Sequence, residues 1–568
     1  MSNTTGRTRD PRVREFVIPS RIVWTSDNDG KSAVENAAGL LEERDGQSTL
    51  QSENPCVLRH MGSPASILLD FGKELHGGVQ IATWFMGGNE RTAKLRVRFG
   101  ESAMEAMSDI GGERNATNDH AIRDQIIDVS FLGATEIGNT GFRFVRIDLM
   151  EENSFIELKS VRAVFLYRDL AYKGSFRSSD PLLDQIWDTG AYTVHLNMQD
   201  YLWDGIKRDR LVWIGDMHPE TSTLQAVFGG HEIVPASLDF IRDRTPLPGW
   251  MSFPSYSVWW LIIHYDWYMQ NGDLAYLEEQ RDYLTGLLNL IAEQIKEDGT
   301  NEAPSPFLDW PSSDNPEGVQ AGIHALFTLA MQRGAELCSL LGDEIAADRC
   351  RRTENKLRRH MPHHAGSKQA AALLALAGLW SAEEANEQVI AVGGSQGVST
   401  FFGYYMLEAR AKAGDIQGSL DCIREFWGAM LELGATTFWE DFDLSWTKDA
   451  ARIDELTPEG KIDVHGTYGN YCYKGYRHSL CHGWASGPTA WLTRHVLGVE
   501  IVEAGCKVMR VEPNLGDLAW AEGEYPTPLG VIHVRHSKAE DGSVHSEIKA
   551  PSGITVIAPG SAELLTVG

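Results

Sequence analysis

The sequence predicts a multidomain α+β protein: a central (α/α)6 barrel flanked by an N-terminal β-sandwich-like domain and a small C-terminal β-domain. Three observations carry this expectation. The apolar pattern is short and alternating to about residue 172, follows a period near 3.6 for the next three hundred residues, and returns to strands after Gly498.

In the first part, AKLRVRF (93–99), FRFVRIDL (142–149) and IELKSVRAVFLY (156–167) alternate between apolar and polar, with Gly-rich breaks between them. SILLDFGKELHGGVQIATWF (66–85) reads as two strands around a Gly turn. Such a module is expected to pack rather than to do chemistry. At Ser178–Ser179–Asp180–Pro181 an Asp cap with Pro just inside it predicts a helix start and a domain boundary. Apolar stripes at helical spacing then recur near 181–200, 256–270, 274–297, 319–341, 344–360, 367–377, 383–391, 399–413, 415–433 and 478–497, punctuated by NGD (271–273), LGD (341–343) and AGD (413–415). Long loops at 201–220, 246–258, 301–318 and 434–478 have no fixed period, which disfavours stacked identical repeats. A toroid of helical hairpins requires this rhythm, with tight turns at one end and site-bearing loops at the other. GCKVMRVEP (505–513), GVIHVRHS (530–537) and SEIKAPSGITVIAPG (546–560) are the closing strands. The expected units are an extension at 1–20, a β-domain at 21–172, the barrel at 173–498 and a β-domain at 499–568.

The chain has 568 residues, 42% hydrophobic and 23% charged, enough for several packed cores. Its 79 acidic against 51 basic residues give a net charge of -28, which would repel a nucleic acid. Seven cysteines, without a CxxC pair or zinc-ligand spacing, read as reduced thiols. With a polar N-terminus and no membrane-length apolar run, they lead us to expect a cytoplasmic protein without membrane contact. An exposed β-domain edge would allow a homodimer.

Three clusters carry candidate chemistry. YLWDGIKRDRLVWIGDMHPE (201–220) gathers Asp204, Asp209, Asp216 and Glu220 with Trp203, Trp213, Lys207, Arg208 and Arg210. Sugar sites need aromatic faces to stack on a pyranose, carboxylates to grip hydroxyls, and one shielded acid to protonate a leaving oxygen. An ion-pair network is the alternative. GATTFWEDFDLSW (434–446) places Glu440 after Trp439, where shielding would tune a carboxylate; a buried structural glutamate is the alternative. GTYGNYCYKGYRHSLCHGWASGPTAWL (466–492) adds Tyr476, His478 and His482, the two histidines four residues apart and expected on one helical face. No further ligand accompanies them, so no metal and no cofactor are expected.

In order along the chain, DGIKRDRLVWIGD (204–216), TTFWEDF (436–442) and SLCHGWASG (479–487) are similar to the DCPQRDERLGWTGD, WE and SLNH-type motifs of glycoside hydrolase family 78, the α-L-rhamnosidases. LLDFGKELHGGV (68–79) and TGFRFVRI (140–147) resemble its front β-domain, and VEPNLGDLAWAEGEYPTPLGVIHV (511–534) its closing one. The resemblance implies inverting removal of a terminal α-L-rhamnose or similar deoxy-sugar, with a rhamnose-containing oligosaccharide or glycoside as partner. It assigns Glu440 as general base and Trp439 and His482 to the sugar pocket, and it matches Asp216 to the acid that ends the first motif. The family's acid is the glutamate before RLGW, and here the motif is one residue short. Aligned from its right-hand end, Asp209 stands in the acid position, one methylene shorter; aligned from the left, the glutamate is deleted. On this reading Asp209 and Glu440 are catalytic, 6.5–9.5 Å apart as inversion requires, and Asp204, Arg208, Trp213, Asp216, Glu220, Trp439, Tyr476, His478 and His482 bind substrate. An ion pair between Asp209 and Arg208 or Arg210 would count against it. Two alternatives stay open. One is β-elimination at a uronate, favoured by Lys207, Arg208, Arg210, Tyr471, Tyr473, Tyr476, His478 and His482. The other is a non-catalytic sugar-binding protein.

Overall fold

A computed structural model describes residues 9–28, 31–87, 91–560 and 562–567. Its first region is a nine-stranded antiparallel sheet. Val34–Glu35, Cys56–His60, Ser154–Tyr167, Ala65–Gly87, Ala134–Leu149, Thr92–Gly100 and Asp124–Ser130 lie side by side in that order. Val13–Val17 pairs with Ser154–Tyr167, and Arg21–Thr25 with Ala65–Gly87. Residues 13–17 therefore belong to the sheet, which revises the boundary expected at residue 20; residues 1–8 lie outside the described part. The segment read as two strands is one, Ala65–Gly87, because Gly72 and Gly77 take positive φ (87° and 140°) at irregularities in the ladder rather than in a reversing turn. The short helix α1 (Ala103–Met107) follows Thr92–Gly100.

Ser175–Ser178 then pairs with Trp520–Thr527, so the chain enters its helical part from the edge of the C-terminal sheet. Helix α2 (Pro181–Asn197) starts as expected, with Asp180 accepting from the Leu182 amide at 2.9 Å and Pro181 in the first turn. It is followed by α3 (Met217–Phe228), α4 (Ile233–Arg244), α5 (Pro254–Asn271), α6 (Leu274–Glu293), α7 (Pro316–Leu340), α8 (Glu344–Leu357), α9 (Lys368–Leu376), α10 (Ala382–Ala385), α11 (Gly403–Lys412), α12 (Ile416–Glu432), α13 (Val464–Thr467) and α14 (Gly487–Trp491). Helices α10 and α14 each run on as one π-helical turn. The sequence pattern missed α3 and α4.

Alternate helices pack on one another in sequence: α3 on α5, α5 on α7, α7 on α9, α9 on α11 and α11 on α14, and α14 returns to α3. At their C-terminal ends NGD, LGD and AGD turn the chain tightly. Gly272, Gly342 and Gly414 take positive φ (67°, 72° and 79°), and Asp273, Asp343 and Asp415 cap the next helix. Their N-terminal ends receive the long loops. The core includes Trp187, Trp260, Trp427 and Trp491, each fully buried. The chain closes with a five-stranded sheet (Ser175–Ser178, Trp520–Thr527, Gly530–Lys538, Val544–Pro551, Ala562–Val567) and a three-stranded one (Val499–Glu503, Val508–Val511, Thr555–Ile557). Among the described residues no helix is long and apolar enough to cross a membrane.

Candidate active site

The long loops enclose a small cavity of about 110 Å3 at the N-terminal ends of α3 and α5. Asp204, Arg208, Asp209, Trp213 and Asp216 reach it from the loop before α3, and Glu440 and His482 from the loops after α12. Phe253, Tyr256, Phe307, Trp310 and Trp484, which the sequence pattern does not assign to a pocket, form aromatic walls together with Tyr473, a candidate of the elimination alternative.

Arg208 sits between the two expected catalytic carboxylates. Its Nη1 donates to Asp209 Oδ1 at 2.9 Å and its Nη2 to Glu440 Oε1 at 2.5 Å. The ion pair that would count against Asp209 as a free acid is thus present. Asp209 Oδ2 accepts from Trp213 Nε1 at 3.1 Å, and His120 Nε2 stands 3.4 Å from Oδ1. The other Glu440 oxygen accepts from the Ser479 amide at 3.1 Å. Burial pushes the Glu440 carboxyl up, but Arg208 and His482 outweigh it and hold the group below the usual carboxylate range.

Asp204 ties its own loop closed, accepting from the amides of Asp209 (3.0 Å) and Leu211 (2.9 Å). Burial, aided by Asp216 and Asp209, pushes it up to about 7. Asp216 accepts from Tyr256 Oη at 2.9 Å and faces His482 Nε2 at 3.1 Å; burial raises its pKa too. Burial acts to lower His482, yet Glu440, Asp216 and Asp204 raise it to about 9, so it is a cation at neutral pH. Its Nδ1 lies 3.9 Å from Glu440 Oε1.

Glu220, Trp439, Tyr476 and His478 do not line the cavity, which corrects the sequence reading. Glu220 points from α3 against Gly483, where an added Cβ would meet its Oε1 at 1.8 Å. Neither Glu220 oxygen has a hydrogen-bond partner among the described residues, and burial holds its carboxyl well above the usual range. Trp439 turns into the core beside Phe442, and the Tyr476 hydroxyl is taken up by Asp463 and Arg114. His478 Nε2 accepts from the Asp441 amide at 2.9 Å, and burial keeps the ring neutral. His478 and His482 do not share a helical face, because residues 478–482 are not helical; the chain is extended at His482.

Behind these loops the β-region supplies buried charge. Lys207 Nζ lies 2.9 Å from Glu101 and 3.3 Å from Glu105 and donates to the Tyr476 and His478 carbonyls. Glu101 also accepts from the Leu480 amide at 2.6 Å. Glu101, Glu105 and His465 bring ligand-type atoms within 4.8 Å of one another, and the Lys207 ammonium already supplies a cation to this group.

Comparison with known proteins follows the same lines. Residues 171–378 match the bacterial alpha-L-rhamnosidase 6 hairpin glycosidase domain, and residues 498–566 the bacterial alpha-L-rhamnosidase C-terminal domain. An alpha-L-rhamnosidase of Alteromonas sp. (strain LOR) is 23% identical over 481 residues, which is 74% of this chain and 50% of that protein. The crystal structure of a GH78 family rhamnosidase of Bacillus sp. GL1 superposes with a TM-score of 0.75 at 22% identity, covering 93% of this chain and 56% of that one. A rhamnosidase from Klebsiella oxytoca with rhamnose bound gives 0.66 at 19% identity, covering 86% and 96%. The chain thus spans about half the length of the Alteromonas protein and the Bacillus chain. Both matched domains are bacterial alpha-L-rhamnosidase domains, so over residues 171–378 and 498–566 the chain is similar to the six-hairpin glycosidases of that kind.

Proposed function

We propose that the protein is a glycoside hydrolase that removes a terminal α-L-rhamnose or similar deoxy-sugar from an oligosaccharide or glycoside with inversion. The observation that carries this reading is the aromatic-walled cavity with Asp209 and Glu440 on opposite ends of one guanidinium. Glu440, held ionised, accepts a proton from the attacking water. Asp209, with 19% of its side chain exposed, is the carboxyl that a leaving oxygen can reach. A substrate hydroxyl that draws Arg208 away frees Asp209 to carry a proton and makes Glu440 a stronger base. His482 and Asp216 grip hydroxyls, and the aromatic walls take the ring face. Asp204 is the second reading for the acid, favoured by its pKa near 7. Of the groups that favour elimination, Lys207, Tyr476 and His478 lie behind the cavity, while Arg208, Tyr473 and His482 line it, which leaves elimination the less favoured reading.

The ring of contacts from α3 through α14 supports reading the helical part, 173–498, as an (α/α)6 barrel, between β-domains at 13–172 and 499–568. A cytoplasmic location and a homodimer belong to the same proposal and are tested by fractionation and sedimentation velocity.

The experiment is turnover of a p-nitrophenyl rhamnoside and a rhamnosyl disaccharide by wild type, Asp209→Asn, Asp204→Asn and Glu440→Gln. Loss of about 10²–10⁴-fold with Glu440→Gln on both substrates is expected. Asp209→Asn should lose far more on the disaccharide, whose leaving group needs the proton. If that selective loss appears with Asp204→Asn instead, Asp204 is the acid. Equal turnover by all four proteins contradicts the assignment.

A further inference from the structure

Beside the cavity, past Asp209, lies an open groove of about 560 Å3 bounded by Asn118, His120, Ile122 and Gln125 of the β-region and by Asn139 and Arg210. Arg210 is held there deliberately. Its φ is 63°, a value sparsely populated by residues with a Cβ, at the turn that Asp204 closes through the Leu211 amide. The guanidinium lies 4.8 Å over the Trp203 ring and donates to the Asn139 carbonyl (2.8 Å) and side-chain oxygen (3.3 Å). Among the described residues no carboxylate pairs with it, although the chain carries 79 acidic side chains against 51 basic ones. His120, also at positive φ (64°), joins the groove to the site through its contact with Asp209.

A group whose oxygen is protonated by Asp209 must leave on the outer side of that carboxyl, and the groove is the space there. We propose that the groove is the leaving-group site and takes a sugar carrying a carboxylate, which Arg210 binds; this rests on Asp209 as the proton donor. Arginine offers a planar pair of N–H donors matched to a carboxylate. Half-exposed Ile122 supplies an apolar face, and Asn118 and Gln125 supply partners for hydroxyls.

The test compares kcat/KM for rhamnosyl glucuronide, its methyl ester and rhamnosyl glucoside of the same linkage, in wild type, Arg210→Gln and Arg210→Lys, with p-nitrophenyl rhamnoside alongside. The wild type should favour the free uronide over the ester and the glucoside by roughly tenfold or more. Arg210→Gln should abolish that ratio and Arg210→Lys keep part of it. A wild-type ratio near one, or a ratio unchanged in Arg210→Gln, overturns the proposal. Because the ester and the free acid are compared on the wild type, a variant that fails to fold does not leave the question open. Turnover of the p-nitrophenyl substrate with no uronide preference would overturn only the groove assignment. Absence of turnover on every substrate would overturn the hydrolase reading and this proposal together.

Discussion

A cation bound to a carboxylate lowers its basicity, and Arg208 does so to Glu440, the group proposed to take a proton from water. Replacing it with methionine removes the largest influence opposing burial at Glu440, so the Glu440 pKa rises. The acidic limb of the kcat/KM profile for Arg208→Met should therefore move to higher pH, measured with the p-nitrophenyl rhamnoside; an unmoved limb would detach Arg208 from Glu440. The residues around Arg208 were legible because they are close in sequence: Asp204, Asp209, Trp213 and Asp216 fall within one loop. Tyr256, Phe307, Trp310 and Trp484 were not, since three separate segments bring them together. Loops 246–258 and 301–318 were noted for their length, and the aromatic residues in them were the available signal. Nothing local marked His120, which arrives from the β-region some ninety residues before Asp209.

Local chemistry made the helix ends readable. NGD, LGD and AGD join a glycine that tolerates positive φ to an aspartate that caps the following helix, and all three do so. Asp343→Ala, which removes a bond to the Ala346 amide, should cost about 1 kcal/mol. Asp415→Ala should cost more, because Asp415 also holds Arg410 and Asn386. Thermal melts of the two variants check the order, and equal losses would contradict it. Helix α3 escaped the pattern for a physical reason. Glu220, Thr221, Ser222, Thr223 and Gln225 are buried beside Leu224 and Val227, so no polar face alternates with an apolar one. The stripe at 478–497 was misread in the opposite sense: its apolar residues are buried, but the chain becomes α-helical only at Gly487.

Across the whole molecule, the β-region does more than the packing that the sequence pattern led us to expect of it. Its Glu101 and Glu105 meet Lys207 beneath the 478–482 loop, and Glu101 holds the Leu480 amide two residues from His482. Burial acts against the Lys207 charge, yet the two glutamates raise its pKa and keep it ionised. Lys207→Met leaves both acids without their cation, a loss of about 3–5 kcal/mol for a broken buried pair. We expect a lower urea midpoint and a reduced kcat, with the stability deficit shrinking as the pH falls and Glu101, whose carboxyl burial pushes up to about 7, takes a proton; an unchanged midpoint would reduce this contact to packing. On the proposed mechanism, a sugar held in the cavity is cleaved by water that Glu440 activates on the face opposite Asp209. This mechanism is tested most directly by proton NMR of an α-L-rhamnoside during the first minutes of turnover. β-L-Rhamnose appearing first, before mutarotation, is the predicted result, and α-L-rhamnose first, or an unsaturated product, would contradict it.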